Sequence, residues 1–322
     1  MKTKRVLIID GLNFYLRQYI VNPSLSFNGE PIGGIRGTIS SLGKLMRETR
    51  PNKIVICWDG PGGSRKRKTA NKNYKGGRKP IRLNRDIRNL SEYEEMANKV
   101  WQQTRLIEYL NEFPITQIMI EDIEADDVIA YVAQLPSLRG WQKIIVSSDK
   151  DFLQLCDDET ILHRPIQKEF LNKKRIVEKF GVHPTNFALA RAIVGDKSDN
   201  LPGVSRVGLP TIAKRFPFLA EEKSFTFQDI YDACEKEEKK LKVHHNILES
   251  KKLIENNYKL MQLYAPSISP QNKRMAREAV EDIELALNKT GVRTMMMEDG
   301  FGELDMSSLF QNCQRIVREK NK

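Results

Sequence analysis

The chain has 322 residues, 40% of them apolar, which allows a sizeable core in one large or two modest domains. Four widely scattered cysteines (Cys57, Cys156, Cys234, Cys313) contain no CxxC pair. This argues against a zinc site or a disulfide framework and for a reducing, cytoplasmic setting. The formal charge is +11, from 53 Lys/Arg and 42 Asp/Glu, and no apolar run is long enough for a membrane span or a signal-peptide core.

Residues 5–9 read as a first buried strand, followed by a loop around Pro23 to Gly34. Ile39, Leu42, Leu45 and Met46 have helical spacing over 37–49, and Pro51 stops that helix. Residues 53–58 form a second strand. The stretch Pro61–Asn89 has no apolar periodicity and reads as a flexible, self-repelling segment. Between Arg65 and Arg88 it holds eleven Lys/Arg and one acid, Asp86, so nearly all the excess positive charge sits here. Ser91 with Glu94 forms a capping box that opens a helix running to Phe113.

Residues 115–120 give a third strand, 124–135 a helix ended by Pro136, 143–147 a fourth strand, and 151–155 the start of another helix. This alternation predicts an α/β fold with a mostly parallel central sheet flanked by helices. From about Phe170 the pattern becomes helical. A boundary near residue 185 divides a core (1–185, with the basic insertion at 61–90) from a helical region (186–322).

Acids recur where these strands end: Asp10, Asp59, Glu124, Asp126, Asp127, Asp149 and Asp151, then Asp196 and Asp199 farther on. Strand C-terminal ends border the crevice in which open α/β sheets bind ligands. One carboxylate there often caps a helix or pairs with a lysine. Nine exceed what a helix dipole tolerates at ~0.3–1 kcal/mol each. Cations must sit among them, and a histidine-poor, all-oxygen set suits Mg²⁺. Two such ions about 4 Å apart would clamp a phosphodiester without a histidine or serine nucleophile. The four histidines match no motif.

The basic segment begins directly after Asp59, so its cations must emerge beside the acids. Arg65, Lys66, Arg67, Lys68, Lys72 and Arg82 are candidate phosphate contacts. Tyr74, between Lys72 and Lys75, offers a stacking surface for an unpaired base. Farther on, Leu201–Gly208 followed by Thr211–Lys214 looks like a helix-hairpin-helix (about 200–216) with Gly203, Arg206, Gly208 and Lys214 near a phosphate.

Glu124-Ala125-Asp126-Asp127, Ser148-Asp149-Lys150-Asp151-Phe152 and Gly195-Asp196-Lys197-Ser198-Asp199-Asn200-Leu201-Pro202-Gly203-Val204, in that order, carry a resemblance to the flap-endonuclease superfamily of 5′-nucleases. These include phage 5′–3′ exonucleases and ribonuclease H-type enzymes, and the 5′-nuclease domain of bacterial DNA polymerase I. The resemblance runs from Val6 to about Phe216 and implies a PIN-like nuclease core. It implies that all nine acids hold two Mg²⁺ ions, with Mn²⁺ as a substitute. The tighter site would use Asp10, Asp59, an acid of the Glu124–Asp127 group and Asp149; Asp151, Asp196 and Asp199 would serve the second ion. Asn73–Arg78 resembles the family's arch motif, which makes Lys75 and Arg78 the catalytic grip on the scissile phosphate. Gly34 and Arg36, within Gly33–Gly37, match the stretch that meets the split duplex, and Arg17 matches another basic position near the substrate.

The hairpin departs from the family pattern. Arg206 replaces a glycine at a position needing positive φ, and Pro210 stands where a lysine is common. Whether the K⁺ ion that some relatives hold there persists is left open, and Arg206 is an alternative phosphate ligand.

The implied function is a monomeric, Mg²⁺-dependent nuclease cutting 5′ flaps, nicks, gaps and RNA primers, with flap or junction DNA and RNA–DNA hybrids as partners. A PIN-like ribonuclease and a silent junction-binding scaffold are the alternatives. In the tail, Leu309, Phe310, Cys313 and Ile316 have helical spacing. Packing on the body explains them, and docking to a sliding clamp or single-strand-binding protein is the other reading.

Overall fold

The structure, a computed structural model, describes residues 3–87, 90–237, 241–282 and 284–320. Arg88 and Asn89, at the end of the basic stretch, lie outside the described residues. A six-stranded sheet runs β3-β2-β1-β4-β5-β6. Its strands are β1 (Arg5–Asp10), β2 (Lys53–Trp58), β3 (Thr116–Met119), β4 (Gln142–Val146), β5 (Thr160–Arg164) and β6 (Glu169–Leu171). Every pairing is parallel except β5–β6.

The continuous apolar strands follow from burial on both faces. Leu7, Ile9, Ile54 and Ile56 point into one layer with α1 (Gly11–Val21), α2 (Gly33–Thr49) and α4 (Glu92–Asn111). Val6, Ile8, Val55 and Cys57 point into the other, with α5 (Ala125–Ala133) and α7 (Pro184–Val194). The connection from β1 leads to β2 on one side, and the connection through α5 returns to β4 on the other side of β1. β1 and β4 therefore flank the topological switch point, where such sheets open a crevice.

Three elements differ from the expectation. α1 begins straight after β1, because Asp10 caps it by accepting from the Asn13 N–H. The β5–β6 hairpin was not anticipated. The basic stretch, expected to lack regular structure, contains α3 (Arg65–Ala70) and a buried Tyr74. The Ser91/Glu94 capping box is present at the start of α4.

The boundary expected near residue 185 falls at the start of α7, whose Phe187, Ala190 and Ile193 share a cluster with Val6 and Ile8. The last helix (Ser307–Lys320) buries Leu309, Phe310, Cys313 and Ile316 in the layer that holds α2. Those side chains are therefore committed to the core. Among the described residues, no helix is long and apolar enough to cross a membrane.

Candidate active site

A cavity of about 540 Å³ opens at the C-terminal ends of β1, β2 and β4. Asp10, Asp59, Asp126, Asp149 and Asp199 line it, together with Lys75, Arg78 and Arg17. Hydrogen bonds aim three of these acids. Asp10 accepts from Asn13 N–H (3.0 Å) and the Ser147 hydroxyl (2.9 Å). Asp59 accepts from the N–H of Ala125 (2.8 Å), which joins the end of β2 to the start of α5. Asp149 accepts from the N–H of Asp151 (2.8 Å). Burial, then the negative charge of Asp59, pushes the Asp10 carboxyl up to about 6. Burial and Asp151 push Asp149 up to about 7. Burial, Asp149 and Asp10 drive Asp126 well above the ordinary carboxylate range.

The other acids already have cations. Glu124 accepts from Lys75 Nζ (2.7 Å), from the Tyr74 hydroxyl (3.1 Å) and from Arg67. Burial works against its charge, but Arg67 and Lys75 overcome this and hold it below its usual range. Asp127 pairs with Arg67 (3.0 Å) and does not line the cavity. Asp151 (2.8 Å) and Asp196 both receive Arg191 of α7, and neither lines the cavity. The nine acids thus gather at one end of the sheet: five line the open space, of which Asp199 is also paired with Arg78, and the other four are held by side-chain cations.

The basic segment folds onto this crevice through specific contacts. The Lys75 N–H donates to the Asp199 carbonyl (2.8 Å), Arg78 Nε to the Ser198 carbonyl (3.0 Å), and Arg78 also pairs with Asp199. Lys75 holds φ 55°, an uncommon backbone for a non-glycine residue, which turns its ammonium toward Glu124. Tyr74, 3% exposed, is a fastening to Glu124 here and not an open stacking surface. Arg67 faces inward rather than toward a phosphate, because two buried carboxylates attract it more strongly than water solvates it. Arg65 pairs with Asp122 (3.2 Å), Lys66 donates to the Ser267 carbonyl (3.1 Å), and Arg82 pairs with Glu92 and Glu95. Lys68 and Lys72 are exposed.

Two more expectations change. Gly34 is buried, and a Cβ there would stand 2.6 Å from the Tyr15 ring. Arg36 donates to the carbonyls of Phe301 and Glu303. Both therefore pack α2 against its surroundings rather than presenting a face to substrate. In the hairpin, Gly203 permits a close backbone approach, its Cβ position lying 1.9 Å from the Val194 carbonyl oxygen. Gly208 caps α8 (Leu209–Arg215), on which Lys214 is exposed. Arg206 does adopt positive φ (62°) and is exposed.

Sequence reasoning missed Asn13, Ser147 and Arg191. Arg191 had a signal: it is the single charge in the apolar run Phe187–Val194, and such a charge survives burial only when paired.

The donor set fits a divalent cation. All cavity acids are oxygen donors, and three carry raised pKa values from burial and mutual repulsion, which added positive charge would relieve. Among the described residues no three His, Cys, Asp or Glu side chains stand close enough together to hold a metal ion without some movement.

Residues 5–181 match the family model of the 5′–3′ exonuclease N-terminal resolvase-like domain. The chain belongs to this family. Its similarity extends beyond that segment. The 5′–3′ exonuclease of Aquifex aeolicus is 28% identical over 98% of this chain and 97% of that protein. The flap endonuclease Xni of Shewanella halifaxensis is 32% identical over 80% of this chain and 92% of its own length. Among solved structures, a bacteriophage T5 flap endonuclease complex with DNA and metal ions matches with TM-score 0.64 at 19% identity, covering 92% of this chain and 98% of that one. The last likeness establishes the shared fold.

Proposed function

We propose that the chain is a divalent-metal-dependent, structure-specific 5′-nuclease, a 5′–3′ exonuclease and flap endonuclease acting on 5′ flaps, nicks, gaps and RNA primers in the cytoplasm. The observation that carries this reading is the meeting of Asp10, Asp59, Asp126 and Asp149 with Lys75 and Arg78 around one cavity at the sheet's switch point. Mg²⁺, or Mn²⁺ in its place, would draw its protein ligands from Asp10, Asp59, Asp126 and Asp149, which must close on it from their positions in the free protein, and Asp199 would serve a second ion. When bound, such ions supply an activated water and stabilise the leaving oxygen.

The chain's own cations do the rest. Lys75 and Arg78 face the same cavity, where their donors bind the non-bridging oxygens of the scissile phosphate. They then favour the extra negative charge of the transition state. To do so, each must exchange its carboxylate partner, Glu124 or Asp199, for the phosphate. Substrate binding and rearrangement of the basic segment are therefore one step. Arg17 and the exposed Lys68 and Lys72 provide sequence-independent affinity for the backbone. The helical region, with Arg206 and Lys214, would contact the duplex from the α7–α8 side as a monomer; this division between 1–185 and 186–322 is functional, since the core runs across it.

The decisive experiment is cleavage of a 5′-labelled duplex bearing a single-stranded 5′ flap, with Mg²⁺ and with EDTA. A metal-dependent cut at the junction is the expected result. Tight binding without any cut would refute the reading in favour of a silent junction binder, and cutting of single-stranded RNA alone would favour a ribonuclease.

A further inference from the structure

The family resemblance assigns Asp151 and Asp196 to metal ions, yet a protein cation already lies between them. Arg191 is 7% exposed. Its Nε donates to Asp151 Oδ1 (2.8 Å), its Nη2 to Asp196 Oδ2, and its Nη1 to the Gly195 carbonyl (3.1 Å). Asp196 Oδ1 is occupied as well, by the N–H (2.7 Å) and hydroxyl (2.6 Å) of Ser198. A guanidinium keeps its proton at any pH a protein survives, so this positive charge is permanent.

The contacts reach the cavity in two directions. Asp151, gripped by Arg191, donates its backbone N–H to Asp149 Oδ1. Asp196 and Ser198 shape the loop whose Asp199 carbonyl receives the Lys75 N–H and whose side chain lines the cavity.

We infer that Arg191 is a positioning residue: a built-in counter-cation that takes Asp151 and Asp196 out of metal binding in the free protein. It aligns Asp149 and Asp199 while doing so. Metal loading without DNA then falls to the cavity acids alone. A second ion near Asp196 would meet the guanidinium charge and would therefore bind weakly in the free protein. This inference rests on the proposed metal-dependent reading, and its test separates the two.

The test is titration of the full chain with Mn²⁺ alone, without DNA, followed by electron paramagnetic resonance. Wild type is expected to bind one ion tightly. Asp196→Asn should leave that affinity within about twofold, while Asp149→Asn should weaken it at least tenfold. Arg191→Ala should gain a further Mn²⁺ site, and Arg191→Lys should restore the wild-type count. In flap cleavage, Arg191→Ala should lower kcat with little change in KM. Equal losses of Mn²⁺ affinity in Asp196→Asn and Asp149→Asn would overturn the inference, and so would a folded Arg191→Ala with an unchanged count. Failure of wild type to bind any Mn²⁺ would instead overturn the metal-dependent reading. The Asp196→Asn arm keeps the test valid if Arg191→Ala does not fold.

Discussion

Two sets of carboxylates share one end of the sheet and meet the problem of their charge in opposite ways. Asp10, Asp126 and Asp149 face the cavity with no ion pair among the described residues, and their carboxyls hold protons more readily than usual. Glu124, Asp127, Asp151 and Asp196 lie at comparable depth, but each has an arginine or lysine within reach. The paired set is complete without a ligand and locks the basic segment and α7 to the sheet. The unpaired set is a stability cost that a bound proton or an external cation relieves. Depth of burial thus does not separate these two sets; the presence of an internal counter-charge does.

The largest test of this contrast is Asp149→Asn. On the proposed reading Asp149 anchors a metal ion, and its loss should slow flap cleavage by roughly 10⁴-fold, since several kcal/mol of barrier lowering are at stake. The same change removes a repelling buried charge, so the metal-free variant should melt no lower than wild type. A drop of several degrees would place Asp149 in the paired set.

Arg67→Ala should do the reverse. It strips Glu124 and Asp127 of a shared partner, and breaking a buried pair from one side costs about 3 kcal/mol. Urea unfolding in EDTA reads this directly. An unchanged midpoint would mean that water replaces the guanidinium without penalty.

Stability against pH sharpens the comparison next. An acid whose folded pKa lies above its unfolded value binds more protons when folded, so stability falls as pH rises between the two values. With Asp10 near 6 and Asp149 near 7, the metal-free protein should lose stability from about pH 4 to pH 7 through these groups. Glu124 and Asp196, held below their ordinary range, oppose the trend only at lower pH. Saturating Mg²⁺ should flatten the profile between pH 6 and 8. A profile identical with and without Mg²⁺ would remove the cavity acids as the metal site.

Much of this was legible before any coordinates. Strands β1, β2 and β4 are buried on both faces, so they read as unbroken apolar runs, and the acids that follow them mark the crevice. The pairing of those acids was not legible, because partners such as Arg67 and Glu124 lie far apart in sequence and meet only through tertiary packing. The basic segment misled for the same reason: eleven like charges read as self-repelling until the acids they face are known. The β5–β6 hairpin escaped because Thr160-Ile161-Leu162-His163-Arg164 alternates buried and half-buried side chains of mixed polarity, and the edge strand β6 is only three residues long.

The smallest effect tests how the basic segment is fastened. Tyr74 donates its hydroxyl to Glu124, while its ring packs with Leu201 and Met261. Tyr74→Phe keeps the ring and loses one hydrogen bond to a charged group, about 1–2 kcal/mol. That is small against global stability but large for a local segment held by a few contacts. Limited proteolysis at Lys68 and Lys72 should therefore quicken several-fold in Tyr74→Phe while the melting temperature moves only slightly. Flap cleavage should stay within about twofold, since the proposed phosphate grip is that of Lys75 and Arg78. A tenfold loss of cleavage with unchanged proteolysis would show that the hydroxyl meets the nucleic acid, and that Tyr74 leaves its buried place when substrate arrives.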